Sequence, residues 1–184
     1  MPIFRTSQAV SAVDATRPHL ILVGLPGAGK TTVAHAVGEK LGRQALDFDA
    51  EITRRELASI PEIFGSRGEA HFRALEHTLT EDLRETGGMI LSPGAGWIAN
   101  PGCLELLKPP AIMVYLKVKP ETAVRRMGPA TAERPLLQRP DPVGEVRRLL
   151  QERESLYLKS DHTLSTDLMT FERVVERIVA LAMP

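Results

Sequence analysis

The sequence predicts a single-domain α/β protein whose doubly wound parallel sheet has five strands, with helices on both faces. Three observations predict it. Short apolar runs alternate with stretches of helical periodicity, the order that builds a parallel sheet with right-handed crossovers. Residues 111–116 are apolar without interruption, as in a strand covered on both faces. The first run, residues 19–23, leads directly into GLPGAGKT at residues 24–31, which opens into a helical pattern.

The elements are assigned in chain order from this periodicity. We expect strands at residues 19–23, 44–48, 89–91, 111–116 and 162–165. We expect helices at residues 30–41, 50–58, 61–86 with an interruption at 65–68, 101–107, 120–127, 142–158 and 170–181. In the second strand, period two places Leu46 and Phe48 on one face and Asp47 and Asp49 on the other. The two acids therefore lie at the carboxyl end of that strand, where open parallel sheets bind their ligands.

One folded domain accounts for most of the chain. Residues 1–18 show no clear periodicity, so we expect a disordered arm there, followed by the folded domain over residues 19–184. Residues 128–142 hold four prolines and show little periodicity. This composition predicts an irregular, mobile loop that acts as a lid.

Residues 24–31 predict a phosphate-binding loop. In the pattern GxxxxGK[ST], the glycines let the backbone wrap round an anion, and its N–H groups and the helix N-terminus point at phosphate oxygens. We expect Lys30 to bridge the β- and γ-phosphates of a nucleotide and the Thr31 hydroxyl to ligate magnesium. The expected nucleotide contacts in the loop are Gly27, Ala28, Gly29, Lys30, Thr31 and Thr32. The alternative is a plain Gly- and Pro-rich turn between a strand and a helix.

Composition and charge exclude several partner classes. Lys and Arg together number 23, as do Asp and Glu, so the chain has no bulk attraction to nucleic acid or to an anionic membrane. No apolar stretch reaches the length of a membrane span. The single cysteine, Cys103, lies in an apolar helical pattern, which predicts a packed thiol, and the first residues lack the apolar core of a secretory signal. We expect a cytoplasmic protein, taken as a monomer, with a small-molecule substrate.

Two acids follow the second strand, Asp47 and Asp49. As strand-end residues of the same sheet, they should face the phosphate loop. We expect Asp47 to support magnesium through water and Asp49 to accept or orient a substrate hydroxyl proton. The alternatives are a solvated carboxylate for Asp47 and an N-cap of the next helix for Asp49. The third strand ends in Ser92 rather than in an acid, so the magnesium shell depends on Thr31, Asp47, nucleotide oxygens and waters.

Three arginines and one tight turn are candidates for substrate contacts. Arg153 lies on the otherwise apolar stripe of its helix and needs an anion, either an internal carboxylate or a substrate carboxylate held bidentately. Arg134 lies in the proline-rich loop, either as a solvated side chain or to close over the γ-phosphate. Arg73 lies at the edge of an apolar helix face, which by position alone predicts a surface residue. Residues 93–96, PGAG, indicate either close backbone approach to a ligand or an ordinary turn.

Taken together, these segments resemble the shikimate kinase family of small phosphate-loop kinases, which are related in fold to nucleoside monophosphate kinases. The resemblance runs from about residue 19 to the C-terminus. It is carried by GLPGAGKT, DFD at residues 47–49, FRALE with Arg73, LSPGAG at residues 91–96, ERPLL with Arg134 and RESLY with Arg153.

The resemblance implies transfer of the γ-phosphoryl of ATP, with Mg²⁺, to the 3-hydroxyl of shikimate. It implies that Lys30, Asp49 and Arg134 are catalytic. Arg134 would belong to the lid over the phosphates, and Arg126 would stack near adenine. The implied substrate contacts are Asp49 at the hydroxyls, Arg73 and Arg153 at the carboxylate, and Gly94, Ala95 and Gly96 along the substrate site.

Two departures from the family pattern keep alternatives open. The family's loop usually has three consecutive glycines, whereas its middle residue here is Ala95. The family's RxPxY motif has a proline where this chain has Ser155. The alternatives are a kinase for another small hydroxy acid, such as gluconate, and a non-catalytic ligand-sensing domain of the same fold. The intact Lys30, Thr31 and Asp49 argue against the sensor.

Overall fold

The computed structural model describes residues 16–128 and 140–182 of the chain. The strands are β1 (Leu20–Val23), β2 (Ala45–Asp47), β3 (Ile90–Ser92), β4 (Ile112–Lys117) and β5 (His162–Ser165). The helices are α1 (Lys30–Leu41), α2 (Phe48–Glu56), α3 (Ile60–Leu83), α4 (Cys103–Leu107), α5 (Pro120–Met127), α6 (Pro142–Tyr157) and α7 (Phe171–Ala182). Each predicted element is present, and a short 3₁₀ helix, Trp97–Ala99, adds to them. Within the described ranges, no helix is both long and apolar enough to span a bilayer.

Two predicted segments fall mainly outside the described residues. They are most of the arm at residues 1–18 and most of the loop at residues 128–142, including Arg134. The end of the arm is in place, because the N–H of Gly88 donates to the carbonyl of Arg17 at 2.8 Å. The chain is therefore already attached to the domain just before β1.

The strands form one parallel sheet in the order β2-β3-β1-β4-β5, which confirms the predicted doubly wound architecture. β1 lies at the centre, with Leu20 opposite Ile90 of β3 and Ile112 of β4. All of β1 is buried, as expected for a strand covered on both faces. The connection after β1 runs to one side of the sheet and the connection after β4 to the other. A ligand crevice therefore lies at the carboxyl ends of these two strands.

The boundary between β2 and α2 differs from the prediction. β2 ends at Asp47 and α2 begins at Phe48, so Phe48 and Asp49 belong to a helix and not to an alternating strand. Asp47 is the N-cap, and its Oδ1 accepts from the N–H of Ala50 at 2.9 Å. The alternative that Asp49 caps this helix is therefore wrong, and Asp49 lies in the first turn. The capping carboxylate stabilises the early helix start, which period-two counting does not detect.

Helix α3 bends where an interruption was predicted. Gly68 has φ 80° and ψ 171°, outside the helical range. Beyond the bend, the buried face of the helix includes the polar side chains of Glu76 and Thr80. Glu76 is fully buried between Phe72 and Leu79, whereas Leu75 is only partly buried. A carboxylate therefore occupies a core position of this helix.

Helix α6 leaves part of its predicted apolar stripe half-buried. Val146, Leu149 and Tyr157 are buried, whereas Leu150 and Arg153 are only half-buried. Arg153 lies four residues from both Leu149 and Tyr157, so it shares the buried face of the helix. Its side chain is nevertheless partly exposed, as its position on this stripe alone would not predict.

Cys103 lies fully buried at the start of α4. Burial raises the pKa of its thiol to about 11, so the thiol stays protonated at neutral pH. The prediction of a packed thiol is confirmed.

Candidate active site

The phosphate loop connects β1 to α1 and packs tightly against its neighbours. Gly24 has φ +147°, and a Cβ there would lie 2.6 Å from the carbonyl oxygen of Leu116 in β4. Gly27 has φ +78°, and a Cβ there would collide with the carbonyl of Ala123 in α5. Both positions therefore require glycine for conformation and for space. The packing fixes the loop between β4 and α5.

Lys30 begins α1 and lies across the loop. Its side chain is buried, and Nζ donates to the carbonyl oxygens of Gly24 and Leu25, both at 3.0 Å. These contacts hold a cation at the inner side of the loop, beside the N-terminus of α1. Both groups favour a bound anion at this place.

A cavity of about 480 Å³ opens beside the loop. Its lining includes all the loop residues predicted to contact the nucleotide, namely Gly27, Ala28, Gly29, Lys30, Thr31 and Thr32. It also includes Arg126, the predicted adenine neighbour, together with Thr166 and Phe171. Arg126 donates to the hydroxyl and the carbonyl of Thr166, each at 2.9 Å, which fixes the plane of its guanidinium. A planar cation and an aromatic ring in the lining suit the faces of a nucleotide base.

Sequence reasoning missed Thr166 and Phe171. Both lie just after β5, at the same carboxyl edge of the sheet as the phosphate loop. The rule that ligands bind beyond the carboxyl ends of parallel strands was the available signal. Phe171 also leaves 44% of its surface exposed, which is unusual for a phenylalanine.

Three side-chain oxygens meet between α1, β2 and β3. The hydroxyl of Thr31 donates to Asp47 Oδ2 at 2.5 Å and lies 3.3 Å from the hydroxyl of Ser92. Asp47 and Ser92 are brought together because they are paired in the register of β2 and β3. Oxygen ligands suit Mg²⁺, which keeps several waters and shares phosphate oxygens with its nucleotide. The donor set fits magnesium bound with a nucleotide, and Ser92 joins the predicted Thr31 and Asp47.

A second group of charged side chains converges on residues 94–96. Because Gly94 has no side chain, Asp49 Oδ1 and Glu76 Oε1 approach it closely, at 3.2 Å and 3.1 Å from the position that a Cβ would take. The guanidinium of Arg73 lies directly against Gly96, where a Cβ would collide with it. The structure therefore brings Asp49, Arg73 and the predicted glycine loop together. This arrangement offers carboxylates for hydroxyl groups and a guanidinium for an anion.

Arg73 is mostly buried, so the expectation from position alone that it is a surface residue is wrong. Its side chain is 20% exposed, and Nη1 donates to Glu76 Oε2 at 2.6 Å. Nη2 donates to Glu69 Oε1 at 2.8 Å. The guanidinium also lies 5.4 Å from the centre of the Phe72 ring. Packing against Gly96 is a long-range contact, and helix position alone could not reveal it.

Glu76 is a site residue that sequence reasoning missed. Burial raises the pKa of its carboxyl to about 7, Arg73 opposes the rise and Asp49 adds to it. The available signal was its spacing, since Phe72, Glu76 and Leu79 are four and three residues apart and share one helix face. Glu76 therefore changes its charge near neutral pH at the edge of the glycine loop.

Arg153 extends from the buried face of α6, four residues before Tyr157. Burial raises the pKa of the Tyr157 phenol and the positive charge of Arg153 opposes the rise, while the Tyr157 hydroxyl donates to the carbonyl of Ala95 at 2.9 Å. In the described part of the chain, no carboxylate forms an ion pair with Arg153. The neighbouring Glu154 pairs instead with Lys117 at 3.0 Å. The described residues therefore do not support the alternative in which Arg153 pairs with an Asp or Glu of its own chain.

A phosphate loop at the switch point of a parallel sheet, beside a separate cluster of carboxylates and arginine, defines a P-loop kinase that acts on small molecules. A protein-family model described as Shikimate kinase matches residues 26–182. The chain belongs to the shikimate kinase family, which confirms the predicted family and an ATP-dependent kinase.

Individual relatives agree with this membership. Shikimate kinase of Rhodopseudomonas palustris is 35% identical over 178 residues, covering 96% of this chain and 87% of the relative. The structure matches that of shikimate kinase from Acinetobacter baumannii in complex with shikimate, with a TM-score of 0.85, 37% identity, and 91% and 93% of the two chains covered. A gluconokinase from Sinorhizobium meliloti, at 14% identity and a TM-score of 0.58 over 90% of this chain and 93% of that one, shares the fold alone.

Replacing Glu76 by glutamine is expected to change the pH dependence of stability. The folded pKa of about 7 lies above the ordinary value of 4.5, so the folded state binds more protons between these values. The stability that this proton binding by Glu76 contributes is fully present below pH 4.5 and is lost as the pH rises through 7. The wild-type free energy of unfolding should therefore fall by about 2–3 kcal/mol, relative to Glu76→Gln, between pH 5 and pH 8. Urea unfolding across this range measures the difference.

Glu69→Gln is the matched control, because Glu69 binds the same arginine but its side chain is 50% exposed. This variant should keep the wild-type pH slope. A Glu76→Gln variant with the wild-type slope would contradict the assigned protonation.

Proposed function

We propose that this chain transfers the γ-phosphoryl of MgATP to the 3-hydroxyl of shikimate, giving shikimate 3-phosphate and ADP. The observation that carries the proposal is the convergence of Asp49 and Arg73 on the loop of residues 94–96, apart from the nucleotide cavity. Such a site can take a ligand that carries both hydroxyl groups and a carboxylate, as shikimate does. Membership of the shikimate kinase family supports the same acceptor.

On the nucleotide side, the loop and Lys30 bind the phosphates, and Arg126 and Phe171 hold the base. Thr31 and Asp47, with Ser92, would hold Mg²⁺. Magnesium held by these residues would offset the negative charge of the phosphates. Lys30 stabilises the charge on the transferred group from the inner side of the loop.

On the acceptor side, Asp49 orients the hydroxyl and receives its proton as the hydroxyl oxygen forms a bond to the γ-phosphorus. The bond from that phosphorus to the oxygen bridging it to the β-phosphate breaks, and ADP leaves. Arg73 and Arg153 bind the carboxylate of the acceptor. Arg134, which lies outside the described residues, completes the proposal as the arginine of the lid over the phosphates.

We take the enzyme to act as a cytoplasmic monomer. Its single cysteine, Cys103, is free and buried, which suits a reducing compartment.

A coupled ADP-release assay with shikimate, followed by mass analysis of the product, tests the function. Turnover that requires shikimate and yields a phosphorylated acid is expected. The same assay with gluconate and other sugar acids is the comparison, because Ala95 and Ser155 depart from the family pattern. ATP binding, measured separately, shows that the protein used is competent.

Each alternative has its own result. Preferred turnover of gluconate would replace shikimate as the acceptor. Binding of ATP and of an acid without any phosphorylated product would favour the sensing domain.

A further inference from the structure

We propose that Tyr157 is a positioning residue of the acceptor site, whose hydroxyl ties α6, the helix that carries Arg153, to the carbonyl of Ala95 in the glycine loop. The proposal rests on the proposed function, in which Arg153 and residues 94–96 belong to the acceptor site. Tyr157 itself contacts no reacting atom. It sets the distance between two parts of the site that contact the acceptor, Arg153 and the glycine loop.

The link is one hydrogen bond. The Tyr157 hydroxyl donates to the carbonyl oxygen of Ala95 at 2.9 Å. Arg153 lies four residues earlier on the same face of α6, so the bond that holds Tyr157 against the loop also sets the distance from Arg153 to that loop.

The ring that carries this hydroxyl is held in place. Tyr157 is fully buried and stacks on Tyr115, with ring centres 5.0 Å apart and planes 20° apart. Burial raises the pKa of Tyr157 to about 12, so its proton is present at every pH at which the enzyme would be assayed. A rigid, protonated phenol is a fixed spacer between helix and loop.

The link connects both halves of the acceptor site. Ala95 lies between Gly94, which Asp49 and Glu76 approach, and Gly96, which Arg73 packs against. A shift of the Ala95 carbonyl would move the loop relative to these three side chains. Loss of the hydroxyl should therefore loosen acceptor binding, because misplaced binding groups contribute less. Tyr157 and Ala95 do not line the nucleotide cavity, so ATP binding should not respond.

Tyr115 supplies a matched control. Its ring belongs to the same stacked pair and is equally buried, but in the described part of the chain its hydroxyl has no hydrogen-bond partner. Tyr115→Phe and Tyr157→Phe remove the same atom from adjoining buried rings. Only the second removes a hydrogen bond.

The experiment compares steady-state kinetics of both variants with the wild type. Tyr157→Phe should raise KM for shikimate about five- to tenfold, the scale of one lost buried hydrogen bond. Its KM for ATP should stay within about twofold. Tyr115→Phe should match the wild type in both constants. An unchanged KM for shikimate in Tyr157→Phe, a parallel rise in both of its KM values, or an equal effect in Tyr115→Phe would overturn the proposal.

The outcome separates this proposal from the proposed function. A wild type without shikimate turnover contradicts the function, whereas a fully active Tyr157→Phe variant contradicts the positioning role alone. If the wild type phosphorylates or binds a different hydroxy acid, the same comparison is made with the KM or Kd for that acid.

Discussion

Replacing Lys30 by methionine is expected to lower kcat at least about 10³-fold. The Lys30 ammonium is the cation that the phosphate loop holds on its inner side, by hydrogen bonds to Gly24 and Leu25. Charge that develops on the transferred phosphoryl loses this fixed partner, and single preorganised donors or cations are worth roughly 10²- to 10⁵-fold in rate. Methionine keeps the length and the apolar packing of the buried side chain, so the fold should persist.

Lys40→Met is the matched control, because Lys40 is an exposed lysine in the last turn of the same helix. It should retain wild-type kcat. The measurement is ADP release at saturating ATP and shikimate, with circular dichroism to check the fold of both variants. A Lys30→Met variant with kcat within about tenfold of the wild type would remove Lys30 from the proposed chemistry.

The fold could be predicted because its signals are local. The apolar runs, the helical stripes and GLPGAGKT each lie within a few consecutive residues, and together they predict strands, helices and their parallel order. The predicted start of α2, residue 50, was wrong because periodicity does not include helix capping. Asp47 ends β2 because its carboxylate accepts from the N–H of Ala50, and this capping bond displaces the helix start to Phe48.

The parts of the site that could not be predicted depend on long-range placement. Ser92 reaches Thr31 only because the register of β2 and β3 places it beside Asp47. Arg73 becomes part of the site through its packing on Gly96, more than twenty positions further along the chain. Neither relation leaves a trace in local periodicity. The family resemblance supplied Arg73 where helix position did not.

Glu76 and Tyr157 show a second reason for incomplete prediction. Both lie on helix faces that periodicity identifies as core. A polar group there is interpreted as a buried group that needs a hydrogen-bond partner, and not as part of a binding site. Their partners, Arg73 for Glu76 and Ala95 for Tyr157, give them a chemical role. A buried polar group beside a predicted binding loop is the pattern that would have identified them.

Changing Asp47, the last residue of β2, and Asp49, in the first turn of α2, to asparagine should have two different kinetic effects. Asp49→Asn is expected to lower kcat about 10²- to 10⁴-fold, because it removes the group that receives the hydroxyl proton and keeps the side-chain shape. Its response to Mg²⁺ should remain that of the wild type, since Asp49 approaches Gly94, whereas Asp47 is the carboxylate that accepts from Thr31. Asp47→Asn should instead raise the Mg²⁺ concentration for half-maximal rate about tenfold or more, because Asp47 accepts from the Thr31 hydroxyl at the proposed metal site. Initial rates measured against Mg²⁺ at saturating ATP and shikimate make the comparison, and the assignment fails if both variants respond to Mg²⁺ alike.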